Sequence, residues 1–275
     1  MSHDPFPKRI VCLTEEPTEV LYWLGQQHRI VGISGFTVRP AEARREKPKV
    51  SAFLTAKIDQ ILALKPDLAI GFSDIQADIA KALIGAGVEV WISNHRSVQG
   101  ILDYCLRLAC LVGERTGGAA LVAAMQREID TAQALATGFA FQPRVYFEEW
   151  DEPRISAIQW VAELIRIAGG ADIFPERANE SLAKQRILPD DSQIIARNPQ
   201  LILGSWCGKK FRPEQVAARP GYAGLSAVQS GQIFEIKSPI ILQPGPAAIL
   251  AGLPEISARI RAAANPPRTA SRGSP

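Results

Sequence analysis

Short apolar runs alternate with amphipathic segments along the first third of the chain. The runs RIVCL, RIVGIS, DLAIGF and VEVWIS are rich in Ile and Val, which is typical of strands buried on both faces. Between them, PTEVLYWLG and IQADIAKALIGAG carry apolar residues at helical spacing and end in glycine. This alternation of strands and helices predicts a parallel sheet covered by helices.

A long helical stretch, from about 98 to 137, separates this region from a second alternating region. There RVYFEEW, QLILGSW and QIFEI predict strands, and QWVAELIRIAGG, SQIIARNP and PEQVAARPG predict helices, with a last helix from about 245 to 263. The predicted fold class is α/β, with two lobes of mainly parallel sheet bridged by one long rigid helix. The predicted divisions are an N-terminal lobe (1–112), a bridging helix (113–138), a C-terminal lobe (139–264) and a disordered tail (265–275).

Composition and charge narrow the function classes. Of the 275 residues, 47% are hydrophobic and 21% are charged, with a net charge of +3, so we expect a soluble globular protein without a nucleic-acid partner. No apolar run is long enough for membrane insertion. The start, MSHDPFPKRIVCL, lacks the pattern of a secretory signal. We therefore expect a cytoplasmic protein as the sequence stands, or a periplasmic one if a leader was removed.

The two lobes contain similar segments, IDQILALKPDLAIGF and SQIIARNPQLILGSW. Each predicts a short helix, a proline and an apolar strand that ends near an aromatic residue, Phe72 in one and Trp206 in the other. In open parallel sheets, ligands bind outside the carboxyl ends of the strands. Phe72 and Trp206, together with Trp150 after RVYFEE, are therefore candidate ligand contacts.

In order along residues 8–262, the chain resembles the substrate-binding proteins of ABC importers for cobalamin, haem and iron-siderophores. The PTE helix start, the ALKPDL element and the AGG turn carry this resemblance, which is greatest to the cobalamin-binding branch. It implies two lobes bridged by a rigid helix, a ligand cleft between the lobes and no catalytic residues. It also implies cobalamin or another corrinoid as the bound ligand, with an iron-siderophore or haem as the alternative. We expect a monomer that requires no cofactor.

The resemblance also suggests individual ligand-binding residues. Aromatic residues are expected after the second strand, in the following loop and at the end of the third strand, where this chain has Phe36, Phe53 and Phe72. In the second lobe, Trp150 and Trp206 are their counterparts. We expect polar ligand contacts from Glu148, Ser205 and Lys209.

Two further positions concern a permease partner. Members that dock to a permease present one glutamate on each lobe, and the matching residues here are Asp59 and Ser192. Asp59 keeps a carboxylate and Ser192 does not, so the sequence weakens the expectation of an ABC permease partner.

Three features allow more than one interpretation. In FEEWDEP, strand alternation puts Glu148 and Trp150 on one face and Glu149 on the other, unless the segment is a solvated turn. The GSWCGKKF loop is either a ligand-binding loop or a turn with a buried tryptophan, and Cys207 allows an alternative in which the fold supports an enzyme. His95 is either an axial metal ligand or a loop histidine hydrogen-bonded to the backbone. We expect no bare metal site.

Overall fold

The computed structural model of the protein describes residues 5–265, which form two compact units. Unit 1 combines the chain up to Arg127 with the later segment Pro239–Ala251. Unit 2 combines Glu128–Ser238 with the segment that begins at Gly252. The predicted disordered tail, 265–275, lies outside the described residues apart from Asn265.

Unit 1 contains a five-stranded parallel sheet with helices between the strands. Its elements are β1 (Ile10–Cys12), α1 (Glu16–Trp23), β2 (Ile30–Ser34), α2 (Ala41–Glu46), β3 (Lys49–Ser51), α3 (Ile58–Ala63), β4 (Leu68–Phe72), α4 (Ala77–Gly85), β5 (Glu89–Ser93) and α5 (Val98–Leu111). The strand order is β3-β2-β1-β4-β5, and all the pairs are parallel. The central strand β1 is fully buried, so its residues are apolar throughout.

Helix α6 (Arg115–Ala136) follows α5 after a short turn. The turn contains Gly113 with a φ of +82°, a left-handed conformation that glycine adopts without steric cost. The boundary between the two units falls inside α6. The helix lies within the range 113–138 predicted for a bridging helix, and the bridging role stays a prediction.

Unit 2 contains a second mainly parallel sheet. Its elements are β6 (Arg144–Asp151), β7 (Arg154–Ser156), α7 (Gln159–Ile167), β8 (Ala171–Asp172), α8 (Pro175–Ala178), α9 (Ser192–Arg197), β9 (Leu201–Gly204), α10 (Pro213–Ala217), α11 (Ser226–Gln229), β10 (Ile233–Glu235), α12 (Ser238–Ile241), which ends in unit 1, and α13 (Leu253–Ala264). The order is β10-β9-β6-β7, β8 also pairs with β6, and only β7 runs antiparallel. The predicted α/β class with mainly parallel sheets is confirmed.

The structure assigns one segment differently from the predicted division. Residues 239–251 were expected in the C-terminal lobe, but they pack with unit 1. The reason is a pair of backbone contacts: His95 hydrogen-bonds the carbonyl oxygen of Pro244 at 2.7 Å, and Glu19 accepts the N–H of Ala247 at 3.2 Å. The predicted final helix is also shorter than expected, because a π-helical turn (Ala248–Gly252) precedes α13.

Candidate functional site

The carboxyl edge of the unit 1 sheet carries the three phenylalanines that the sequence singled out. Phe36 follows β2, Phe53 follows β3 and Phe72 is the last residue of β4. The rings of Phe36 and Phe53 stack with centroids 4.8 Å apart and planes at 19°. Phe36 is 46% exposed and the neighbouring Leu54 is 72% exposed, so this edge presents an apolar surface to solvent.

Phe72 lies deeper at the same edge. Only 9% of it is exposed, and the ring of His95 meets it edge-on at 5.4 Å. The guanidinium of Arg96 lies over the Phe72 ring, 5.4 Å from its centroid. Phe72 therefore adds a mostly covered apolar ring to this edge, beside the more exposed rings of Phe36 and Phe53.

Three carboxyl groups to which the sequence analysis gave no role lie shortly after β1. Glu15 directly precedes α1, and Glu16 and Glu19 lie in its first turn. Glu15 and Glu16 are each 3% exposed. Glu16 accepts a hydrogen bond from the hydroxyl of Thr14 at 2.9 Å, and Glu19 is ion-paired with Arg39 at 3.3 Å. Burial, and then the neighbouring Glu16 carboxylate, raises the pKa of Glu15 to about 8, and burial raises that of Glu16 to about 7. The signal in the sequence is two adjacent glutamates directly after an apolar strand.

Both ring nitrogens of His95 are already hydrogen-bonded. Nε2 lies 2.7 Å from the carbonyl oxygen of Pro244, which only accepts, so Nε2 carries the hydrogen. Nδ1 then accepts from the hydroxyl of Ser93 at 2.7 Å. Burial lowers the pKa of His95 to about 4, so the ring is neutral at pH 7. These hydrogen bonds support the backbone-bonded interpretation of His95, and the axial-ligand interpretation stays a prediction.

In unit 2, Glu148 is a buried structural carboxylate. It is 0% exposed and forms a two-point ion pair with Arg219, at 2.6 and 2.8 Å. The indole N–H of Trp206 and the hydroxyl of Tyr146 also donate to it, each at 3.1 Å. Although burial opposes it, the hydrogen bonds to Glu148 raise the pKa of Arg219. The oxygens of Glu148 are buried and already have partners, which indicates a structural role, and a ligand contact by Glu148 stays a prediction.

The GSWCGKKF loop is anchored by its tryptophan. Trp206 is only 3% exposed, and the ring of Phe211 packs against it edge-on at 4.8 Å. Lys209 lies over the Trp206 ring at 5.2 Å and is ion-paired with Asp151. Core residues and Lys209 cover the Trp206 ring, and the stacking of a ligand on it stays a prediction. Cys207, in contrast, is exposed.

The end of β6 does not keep the strict alternation that the sequence analysis assumed. Glu148 pairs with Ser156 but Trp150 pairs with Ile155, which is a β-bulge. Glu149 is ion-paired with the buried Arg186 at 2.6 Å. Each glutamate of this segment thus has its own arginine, and the two do not form a carboxylate pair.

Several groups remain at the carboxyl edge of the unit 2 sheet. Trp150 is half-buried and donates its indole N–H to the carbonyl oxygen of Glu152 at 2.9 Å. The hydroxyl of Ser205 and Oδ1 of Asp151 are buried, and neither has a hydrogen-bond partner among the described residues. These atoms could bind polar groups of a ligand, because a buried polar atom gains from any hydrogen bond.

The two positions suggested for permease docking are both exposed. Asp59 lies in the first turn of α3, and Ser192 is the first residue of α9. Ser192 has no charge, but its hydroxyl and its backbone N–H both bind the exposed carboxylate of Asp190. Hydrogen bonds from Ser192 lower the pKa of Asp190. A docking role for Asp59 and Ser192 stays a prediction.

The described residues contain neither a candidate metal site nor a candidate membrane-spanning helix. No group of three or more His, Cys, Asp or Glu side chains within 5–265 could hold a metal ion. In the same range, no helix is both long and apolar enough to cross a bilayer. The geometry is that of two sheet edges that combine aromatic rings with a few polar groups, which suits small-molecule binding.

Known proteins with similar sequences have names that describe them as binding proteins. The vitamin B12-binding protein of Vibrio cholerae is 28% identical over 254 residues, covering 88% of this chain and 86% of that protein. The cobalamin-binding protein of Halobacterium salinarum is 22% identical over 251 residues, covering 88% of this chain and 67% of that protein.

Solved structures share the fold. The periplasmic vitamin B12-binding protein of Vibrio cholerae superposes with a TM-score of 0.75 at 22% identity, covering 94% of this chain and 99% of its own. A periplasmic haem-binding protein from Roseiflexus gives 0.77 at 23% identity, covering 92% and 99%. These are two-lobed periplasmic binding proteins, and the predicted two-lobed fold is confirmed. The family model for periplasmic binding proteins matches residues 10–240, and the chain therefore belongs to the periplasmic binding protein family.

Proposed function

We propose that this binding protein takes cobalamin or a related corrinoid as its ligand. The observation that carries the proposal is the stacked pair Phe36–Phe53 with the exposed Leu54 at the carboxyl edge of unit 1. Exposed aromatic side chains without polar tips bind large apolar surfaces, and a corrin ring has such surfaces along its edges and faces. The names of the relatives, which bind vitamin B12 or cobalamin, support the same ligand class.

Unit 2 carries candidate ligand contacts at the carboxyl edge of its own sheet. Trp150 offers a half-buried ring, and Ser205 offers a buried hydroxyl that has no partner within the described part of the chain. Lys209 is half-exposed and could exchange Asp151 for an acidic group of the ligand. Arg219 pairs with Glu148, and Glu148 accepts the indole N–H of Trp206, so these two side chains support the loop that carries Trp206.

The second candidate is a haem or an iron-siderophore. It is favoured by structural neighbours whose names specify haem or iron binding, such as the Roseiflexus protein. A flat, apolar porphyrin would also suit the rings of Phe36 and Phe53. Titration with haemin separates this candidate from the corrinoid.

The test is tryptophan fluorescence during titration with cyanocobalamin, cobinamide and haemin, corrected for absorption of light by the ligand. We expect saturable quenching by the corrinoids. Replacing Phe36 or Phe53 with alanine should weaken binding about 5- to 10-fold, because each stacked ring contributes about 1 kcal/mol or more.

The matched control is Phe141→Ala, since Phe141 is also exposed but precedes β6 at the amino edge of its sheet. This variant should bind like the wild type. Equal affinities for the Phe36→Ala and Phe141→Ala variants would refute the assignment of the aromatic edge. Quenching by haemin alone would replace the corrinoid with haem.

A further inference from the structure

The loop from β1 into α1 places Glu15 and Glu16 at the carboxyl edge of the central strand of unit 1, the edge that also carries Phe36 and Phe72. Ligands of open parallel sheets bind at this edge. Both glutamates are almost completely buried. Burial of a carboxyl group costs free energy unless its oxygens have hydrogen-bond partners. The partners of these two carboxyl groups therefore indicate which kind of ligand group could bind here.

The carboxyl oxygens have few partners within the protein. Glu16 accepts one hydrogen bond, from the hydroxyl of Thr14. Glu15 Oε2 is buried and has no hydrogen-bond partner among residues 5–265. Among the described residues, the arginine that is ion-paired beside this loop is Arg39, and it binds Glu19 of α1. The loop thus combines two carboxyl groups, which ionise fully only above about pH 8, with an unused acceptor atom.

A second buried polar group from another helix lies near the same carboxyl groups. Tyr104 of α5 is 2% exposed, and its hydroxyl has no hydrogen-bond partner in the described structure. Burial, and then the nearby Glu16 carboxylate, raises the pKa of Tyr104. The Tyr104 ring stacks on His95 at 4.4 Å, and His95 binds the carbonyl oxygen of Pro244.

Gly245, which follows Pro244 in the chain, packs against the loop that carries Glu15 and Glu16. A Cβ atom added to Gly245 would lie only 2.9 Å from Cβ of Glu16, so the backbone of Gly245 lies directly against the glutamate. The Pro244–Gly245 turn therefore connects the Tyr104–His95 stack to Glu16, and Glu15 precedes Glu16 directly in the chain.

We propose that Glu15, Glu16 and Tyr104 form a specificity subsite that binds an N–H donor group of the ligand, such as a carboxamide, and repels a carboxylate. The inference deepens the proposed function and rests on it. The peripheral side chains of a corrinoid end in carboxamides, whose N–H groups donate to carboxyl oxygens. Haem carries propionates instead, and a second negative charge beside buried carboxyl groups is unfavourable.

Two corrinoids that differ only in these peripheral groups provide the test. Cobinamide carries carboxamides, and cobyrinic acid carries carboxylates on the same ring. The ratio of their Kd values, measured by isothermal titration calorimetry with the full chain at about pH 9, where both glutamates are ionised, reports the subsite. We expect the wild type to prefer cobinamide at least 10-fold, the effect of one hydrogen bond to a charged group.

Glu15→Gln keeps the shape of the side chain and removes its charge, so it should reduce this preference by about 10-fold, mainly by strengthening the binding of cobyrinic acid. Tyr104→Phe removes only the hydroxyl and should weaken cobinamide binding about 3-fold. The control is Glu42→Gln in α2, whose side chain is 53% exposed. It should leave the ratio unchanged.

The outcomes distinguish the subsite from the proposed function. Equal affinity of the wild type for the two corrinoids, or an unchanged ratio in Glu15→Gln, refutes the subsite and leaves corrinoid binding intact. Binding of neither corrinoid refutes both proposals. Thermal unfolding of each variant shows whether its fold is kept, and Tyr104→Phe provides a second readout if Glu15→Gln fails to fold.

Discussion

Arg219→Met should destabilise the protein strongly, because it leaves the Glu148 carboxylate buried without a counter-charge. Glu148 is 0% exposed and the Arg219 side chain is 11% exposed. The substitution removes two charged hydrogen bonds, at 2.6 and 2.8 Å. It keeps those from Tyr146 and Trp206, and the methionine fills most of the volume of the arginine stem.

Removing one partner of a buried ion pair costs about 3–5 kcal/mol. For a chain of this size, about 1 kcal/mol lowers Tm by roughly 2–4 °C, so we expect Tm to fall by about 6–20 °C. The assay is thermal unfolding at pH 7 followed by far-UV circular dichroism. Tryptophan emission is recorded in parallel and should shift to the red as Trp206 loses its fixed surroundings.

The matched control is Arg212→Met, because Arg212 pairs with Glu214 at 3.8 Å with both side chains about half exposed or more. Such a surface pair contributes less than about 1 kcal/mol. The double variant Glu148→Gln, Arg219→Met should recover part of the lost stability, since no charge then remains buried. If Arg219→Met and Arg212→Met lower Tm equally, the reasoning about the buried pair is refuted.

Two further predictions concern packing and pH. Gly204→Ala should lower the free energy of unfolding by about 1–3 kcal/mol, because a Cβ atom at Gly204 would lie 1.8 Å from the Phe211 ring. The control is Gly85→Ala, which should not lower it, since nothing lies within 4 Å of a Cβ atom added there. Equal denaturation midpoints for the two variants would contradict this reasoning. Burial lowers the pKa of His95 from 6.5 to about 4, so the neutral ring contributes stability that is complete above pH 6.5 and is lost as the pH falls towards 4. His95→Gln should therefore show a flatter dependence of Tm on pH between 6.5 and 4, and parallel curves for the two proteins would exclude this role.

The sequence predicted the long-range architecture better than the short elements. Every strand that forms an apolar run, such as β4 and β6, was found, because burial on both faces leaves a clear pattern. The strands β3, β7 and β8 were missed, since their short segments KVS, RIS and AD each contain a single apolar residue and form no apolar run. Such short segments form strands only because neighbouring strands pair with them.

The sequence could locate residues at the ends of predicted strands, but not contacts between residues that are far apart along the chain. The positions of Phe36 and Phe72 follow from the ends of predicted strands, whereas Phe53 follows the missed strand β3 and came from the resemblance alone. The partner of Glu148 does not follow from a strand end, because Arg219 is 71 residues away and no local pattern connects the two. A bulge at the end of β6 also broke the alternation on which the assignment of Glu148 and Trp150 to one face depended.

The return of Pro239–Ala251 to unit 1 has a consequence for the order in which the protein becomes functional during synthesis. The strands of the unit 1 sheet are complete by Ser93, but Pro244 and Ala247, which bind His95 and Glu19, are made only after the last strand of unit 2. A nascent chain can therefore form the first sheet early and still lack the contacts that fix its polar edge. The loop that carries Glu15 and Glu16 can therefore gain its contact with Gly245 only after the strands of unit 2 have been made.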